Sequence, residues 1–219
     1  DFKFGMIYKL NEMVRLGAAI HSPAWYSMHY KDDYNMESTF GSLSDSLFTL
    51  NDPPSSEFDY KLNTPFRALG SIALIFPGTG LISADYEFVN HQTAKFKSQD
   101  DFGYNFSEEN DAIKKYHAGQ HIIRIGGELL SGDFAYRLGV AYYSSPYAAD
   151  VIPNEYDYSS ISGSAGIGYR KKSYFIDAGY ALSTSKKYYE PYSLNDGSEP
   201  AIYSNVTSHR IMFTVGFKF

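Results

Sequence analysis

The last eleven residues, HRIMFTVGFKF, constrain the fold more than any other segment of this chain. Read with a period of two, His209, Ile211, Phe213, Val215, Phe217 and Phe219 fall on one side. Arg210, Met212, Thr214, Gly216 and Lys218 fall on the other. Successive side chains of a strand point to opposite faces, so this strand meets two different environments. An amphipathic strand of a soluble sandwich and a strand in the wall of a membrane barrel both fit this segment alone.

The same alternation recurs eight more times. In the first half, Phe2 to Leu10, Val14 to Ile20, Phe66 to Phe76 and Ile82 to Phe88 place apolar groups on even positions. The odd positions there carry Lys3, Lys9, Arg15, Arg67, Ser71, Asp85 and Glu87. In the second half, Ile123 to Leu129, Phe134 to Tyr142, Ile161 to Tyr169 and Tyr174 to Leu182 repeat the pattern. Arg124, Glu128, Arg137, Arg170 and Asp177 stand on their polar faces.

The connections alternate as well. Short turns fall near residues 11–12, 77–80, 131–132 and 171–173, and long polar loops near 31–56, 98–117, 145–156 and 187–204. Short turns on one rim and long loops on the other are the pattern of a transmembrane β-barrel, and a sandwich has no reason to sort them so. The chain therefore reads as all-β, an antiparallel up-and-down barrel of about nine or ten strands, with no helix of useful length required. The tenth strand would be Trp25 to Phe40, which contains WYSMHY. Nine is an odd number, whereas single-chain bacterial barrels have even numbers. The expectation is a single barrel domain over 1–219 that lacks an amino-terminal part. A start at Asp1 without a signal peptide reads as a processed or truncated terminus.

Composition supports this and excludes other classes. No stretch approaches the roughly 18 apolar residues of a spanning helix, so a membrane crossing must use a closed barrel. The 21 Tyr and 16 Phe suit strands and aromatic girdles. The absence of Cys excludes thiolate metal sites and thiol catalysis. A net charge of −6 without a basic block makes nucleic acid an unsuitable partner.

Several segments together resemble the FadL/TodX family of outer-membrane hydrophobic-compound transporters, in the form common in Bacteroidetes. They are RLGAAIHSPAWY at 15–26, TPFRALGSIALIFPGTGLISADYEFVNHQTAKF at 64–96, FAYRLGVAYYSSPY at 134–147, YFIDAGYALSTSKKYYEPY at 174–192 and the terminal HRIMFTVGFKF. The resemblance implies a fourteen-stranded barrel with an amino-terminal hatch, multi-pass in the bacterial outer membrane. Long-chain fatty acids or aromatic hydrocarbons would pass through it without hydrolysis or cofactor. The hatch and about five leading strands have no counterpart here, so the chain reads as a carboxy-terminal portion whose missing segment would be a partner. Outer-membrane lipid and lipopolysaccharide are the implied surroundings. The final aromatic residue, Phe219, resembles the assembly signal of such barrels. Two other functions stay open: a structural or secretion-associated barrel that binds a partner protein, and a general diffusion porin.

The lumen-facing charges are the candidate site. Asp85, Glu87, Glu128, Arg170 and Asp177 form a charge lattice with the arginines: Arg67 lies on the strand hairpinned to that of Asp85 and Glu87, Arg137 lies likewise beside Arg124 and Glu128, and Arg170 beside Asp177. Such a lattice can satisfy itself and hold the wall in register. Alternatively Arg67, Arg124 or Arg137 meets a ligand carboxylate, which arginine recognises with two donors. Tyr143, Phe175 and Leu69 would add apolar contact. The other constellations are weak. His117 and His121 lie four apart, about 13 Å along a strand, too far to share a metal. The loop with Asp100, Asp101, Glu108, Glu109 and Asp111 lacks the spacing of a calcium loop. GSAGIGY at 163–169 looks like a phosphate loop but has the period of a strand that needs small inward residues. His209 should face outward and Ser183 inward, and no G-x-S-x-G occurs, so no enzyme, metal or cofactor is expected.

Overall fold

The computed structural model describes residues 1–33, 37–38, 48–49, 55–99, 104–149, 158–189, 191 and 202–217. Its strands are β1 (Lys3–Lys9), β2 (Val14–His21), β3 (Trp25–Asp33), β4 (Glu37–Ser38), β5 (Phe48–Thr49), β6 (Ser55–Asn63), β7 (Phe66–Phe76) and β8 (Gly80–Asn90). Then come β9 (Lys95–Ser98), β10 (Gly119–Ser131), β11 (Phe134–Tyr143), β12 (Ser160–Arg170), β13 (Tyr174–Tyr189) and β14 (Ile202–Phe217). One helix, α1 (Ser107–Tyr116), lies between β9 and β10.

Nine of these strands form one antiparallel sheet in the order β1-β2-β7-β8-β10-β11-β12-β13-β14. They are the nine alternating segments of the sequence. The register keeps their two faces separate. One row of directly opposed residues runs Val14, Leu74, Ile82, Gly127, Leu138, Ala165, Tyr180, Ile211. A row on the other face runs Gly17, Ser71, Asp85, Arg124, Ala141, Ser162, Ser183, Ser208. A one-residue slip would mix the rows, so each face needs the register that it has.

Burial shows which face is concave. Among the described residues the buried ones are Glu87, Val89, Ile122, Ala135 and Gly168, all on the charged face. The apolar face is open: Leu138 is 71% and Phe213 77% exposed. A water-soluble chain does not spread so many exposed Ile, Leu, Val and Phe over one continuous surface. Facing hydrocarbon, the same surface is correct. No helix of the described residues is long and apolar enough to cross a membrane.

Aromatic side chains edge the apolar band. Near the short turns, Phe134 packs on Tyr169 at 5.1 Å between ring centres and Tyr169 on Tyr174 at 6.2 Å. Near the long loops, the Tyr86 hydroxyl hydrogen-bonds His121 Nδ1 at 2.6 Å and the Tyr180 hydroxyl His209 Nδ1 at 2.7 Å. From Phe134 to Tyr142 along β11 the band is about 27 Å long at roughly 3.4 Å per residue, or about 20 Å tall once tilted by some 40°.

The short turns follow from their residues. Asn11 Oδ1 accepts from the amides of Met13 and Val14 at 2.9 and 2.8 Å, an Asx turn that closes β1–β2. Gly132 takes φ +59° at the first central position of the two-residue β10–β11 hairpin, a conformation that favours glycine. Asp133 beside it accepts a hydrogen bond from Lys171 Nζ of the β12–β13 turn, stitching two turns of the same rim together.

At the long-loop rim the wall breaks and continues as a second sheet, β3-β6-β9. Pro23 and Pro65, which have no N–H to donate, sit at the breaks between β2 and β3 and between β6 and β7. The WYSMHY segment thus begins a strand of this second sheet and adds no tenth strand to the wall.

Helix α1 corrects the expectation that 98–117 is only a loop. Glu108 and Glu109 in its first turn and Lys114 and Lys115 in its last complement the helix dipole. Asn110 fixes it to the sheet by accepting from the Phe96 amide at 2.8 Å and donating to the Phe96 carbonyl at 2.9 Å. Phe106 completes the contact, with its ring 5.6 Å from Phe96 and 5.9 Å from Tyr60.

Candidate lumen site

On the concave face the charges join into two clusters. In the first, Glu87 accepts from two arginines, Arg124 Nη2 at 2.8 Å and Arg67 Nη1 at 3.4 Å. The Glu87 side chain is 7% exposed and Arg67 is 53% exposed, so the carboxylate is the enclosed partner and Arg67 keeps free donors. The guanidinium of Arg124 also lies over the Tyr143 ring at 5.6 Å. In the second cluster, Arg137 holds two acids, with Nε 2.7 Å from Glu128 Oε2 and Nη1 2.7 Å from Asp177 Oδ1. Arg170 approaches Glu128 at 3.7 Å.

Of the two acids on the strand hairpinned to its own, Arg67 meets Glu87, and Arg137 meets Glu128, whereas Asp177 departs from the neighbour relation read from the sequence. That carboxylate pairs with Arg137, on the far side of β12, and Arg170 turns to Glu128. The reason is glycine. A Cβ at Gly168 would stand 2.3 Å from Asp177 Oδ1 and 3.2 Å from Arg137 Nη1, so only glycine leaves room for the pair to cross the strand. GSAGIGY is therefore a strand segment whose inward glycine makes a slot for an ion pair.

Beside Asp85 and Arg124 the lumen face has a hollow of about 540 Å³. Gly5, Gly17, Ala19 and Ser71 give it a low floor, and Ile7 and Leu69 add apolar surface. Gly17 permits the close approach: a Cβ there would meet Ser71 Oγ at 2.3 Å. Asp85 makes no ion pair among the described residues. A hollow of this size, largely apolar with one cation and one anion at its edge, has the make-up of a small-molecule site. The sequence marks Asp85 and Arg124 but not the small residues of three separate strands, Gly5, Gly17, Ala19 and Ser71, that form the floor.

Phe175 reaches across to β14, where Gly216 has no side chain to obstruct its ring. It lies near the short-turn rim, remote in register from Arg124 and Tyr143. Phe219 lies outside the described residues, as do Asp45, Asn51, Pro53, Pro54, Asp100 and Asp101.

The histidines pair differently from their spacing. His117 stacks on Tyr147 at 5.0 Å and on His91 at 6.2 Å, while His121 joins Tyr86 on the outer face. Burial, helped by the nearby His91, holds the His117 pKa below its ordinary value, and the Pro146 carbonyl opposes the shift. No group of three metal-ligating side chains occurs among the described residues. Ser183 opposes Ser208 on the concave face, and His209 opposes Leu182 on the outer face.

Solved structures of outer-membrane proteins share this fold. The chain superposes on a monoaromatic hydrocarbon channel, CymD, with a TM-score of 0.54 at 13% identity, covering 99% of this chain and 50% of that one. It superposes on the toluene transporter TodX of P. putida with a TM-score of 0.55 at 13% identity, covering 99% of this chain and 48% of that one. No protein-family profile matches the sequence, and no curated protein matches it. The chain spans about half the length of the solved structures that it matches. It has the fold of an outer-membrane β-barrel wall, apolar outside and charged within.

Proposed function

We propose that the chain forms part of a passive outer-membrane channel for hydrophobic small molecules. The observation that carries this reading is the lumen hollow over Gly5, Gly17 and Ala19, apolar along its floor and edged by Asp85 and Arg124. It offers an apolar body a place on an otherwise ionic wall. The fold shared with a monoaromatic hydrocarbon channel and a toluene transporter supports the same class of cargo. In the finer form of the proposal the cargo is a long-chain fatty acid or an aromatic hydrocarbon. Arg67 and Arg124 then receive any carboxylate, Tyr143, Leu69 and Phe175 contact the apolar part, and Arg137, Arg170, Glu128 and Asp177 hold the wall. Passage needs no hydrolysis and no cofactor, because nothing in the site has to be chemically changed.

Solvent extraction of the detergent-purified protein, followed by mass spectrometry, tests the proposal. Bound hydrophobic molecules, and uptake of toluene but not of sugars by proteoliposomes, are the expected results. Sugar-driven swelling would mark a diffusion porin instead. A stable second protein with an empty extract would mark a structural barrel.

A further inference from the structure

We propose that the outward face of the β3-β6-β9 sheet binds the phosphate groups of the outer-leaflet glycolipid through Lys61, Lys95 and Lys97. The inference rests on the membrane-barrel fold and is independent of the cargo.

Register puts the three lysines on one face. Trp25 opposes Asn63, and Asn63 opposes Lys95. In the next row Ser27 opposes Lys61, and Lys61 opposes Lys97. The opposite face carries Tyr60 and Phe96, which pack on Phe106. The basic face is thus the one turned away from the aromatic cluster.

Trp25 shows where that face points. Its ring packs edge-on against Phe2 at 6.1 Å, and Phe2 continues the outward set Phe4, Met6 and Tyr8 of β1. Tryptophan on the outer surface of a barrel sits at the membrane interface. Lys95 shares the tryptophan's row. Lys61 and Lys97 lie two residues further from the hydrocarbon, roughly 7 Å at the strand rise. That is the level of the lipid headgroups.

Among the described residues the three lysines have no ion-pair partner. Like charges directly opposed on adjacent strands destabilise a sheet. Lys61 and Lys97 are so opposed, and none of the three lysines makes an ion pair among the described residues. The acids at hand are engaged elsewhere: Asp59 with His29 at 2.8 Å, Glu57 with His29 at 3.7 Å and Asp111 with Lys114 at 3.1 Å. An anion brought by the environment removes the repulsion, and basic residues at a membrane surface attract anionic headgroups.

Trp25, the single tryptophan, is a built-in reporter of this face. Its fluorescence in the full-length protein in detergent should titrate with added lipopolysaccharide. Each lysine-to-glutamine change should weaken binding roughly fivefold, and the triple variant about a hundredfold. K97R should bind as the parent does. Without glycolipid, K97Q should be at least as heat-resistant as the parent, because an opposed charge is gone. Folding of each variant is checked by circular dichroism, and the single variants carry the test should the triple one not fold. Unchanged affinity in the variants, or equal binding of dephosphorylated lipopolysaccharide, would overturn the proposal. So would full competition by inorganic phosphate at the same phosphate concentration, which marks a free-anion site. Loss of toluene uptake with glycolipid binding intact would count against the channel reading alone.

Discussion

Arg137 Nη1 stands 2.7 Å from Asp177 Oδ1 although the whole of β12 runs between their strands. The contact exists because Gly168 leaves a slot under it. Gly168→Val should cost about 1–3 kcal/mol through overpacking, and Asp177→Asn about 1–2 kcal/mol through the lost charged hydrogen bond. The double variant should cost less than the sum, since both changes remove the same crossing. Urea unfolding in lipid vesicles measures this. Strict additivity would show that the glycine and the ion pair act separately.

Val140→Arg and Ile167→Arg, at outward positions, should each cost about 2–4 kcal/mol near the bilayer midplane. Ala141→Ser, on the opposite face between Arg124 and Ser162, should cost well under 1 kcal/mol. The same unfolding measurement separates them, and equal costs would mean that the two faces meet the same solvent. Gly166, on the same inward face, does not serve as a neutral control, because a Cβ there would come within 3.2 Å of the Ala178 carbonyl oxygen.

Arg67→Gln tests the cargo's headgroup. Arg67 is the most exposed of the three candidate arginines and holds Glu87 only at 3.4 Å. Its loss should weaken retention of a long-chain fatty acid about tenfold, or about 1.4 kcal/mol, and leave a neutral aromatic hydrocarbon unaffected. Competition binding with a labelled fatty acid reads the difference. Equal losses for both ligands would place Arg67 in the wall alone.

His117 gives the outer rim a pH dependence. Its folded pKa lies below the ordinary value near 6.5, so the unfolded rim binds more protons as the pH falls through that value. Stability there is full above about pH 6.5 and declines towards the lower folded pKa. The Ala118 amide, bonded to the Pro146 carbonyl at 2.8 Å, should exchange faster at pH 5.5 than at pH 7.5 after correction for intrinsic rates. His117→Phe should remove the difference.

The wall was legible because each strand repeats one binary choice. Val14 to Ile20 or Phe134 to Tyr142 needs no tertiary information to show its two faces. What escaped was whatever depends on register. The Asp177–Arg137 crossing depends on which residue of β12 falls between them, and the lumen hollow on glycines of two strands meeting Ser71 of a third. Helix α1 escaped because its stability comes from Asn110 and Phe106 docking on Phe96, not from an apolar stripe of its own. The spacing of His117 to His121 argues against a shared metal but carries no sign of the neighbours His91 and Tyr147, which come from other segments of the chain.

The most direct test of the two-faced wall is a spin-label scan of β11. The chain has no cysteine, so each introduced cysteine between Phe134 and Tyr143 carries the only label. In lipid vesicles, labels at Tyr136, Leu138 and Val140 should collide strongly with oxygen and weakly with a water-soluble nickel chelate. Labels at Arg137, Gly139 and Ala141 should do the reverse, with a period of two residues. Uniform access of the nickel chelate at all of these positions would contradict a strand that has lipid on one side.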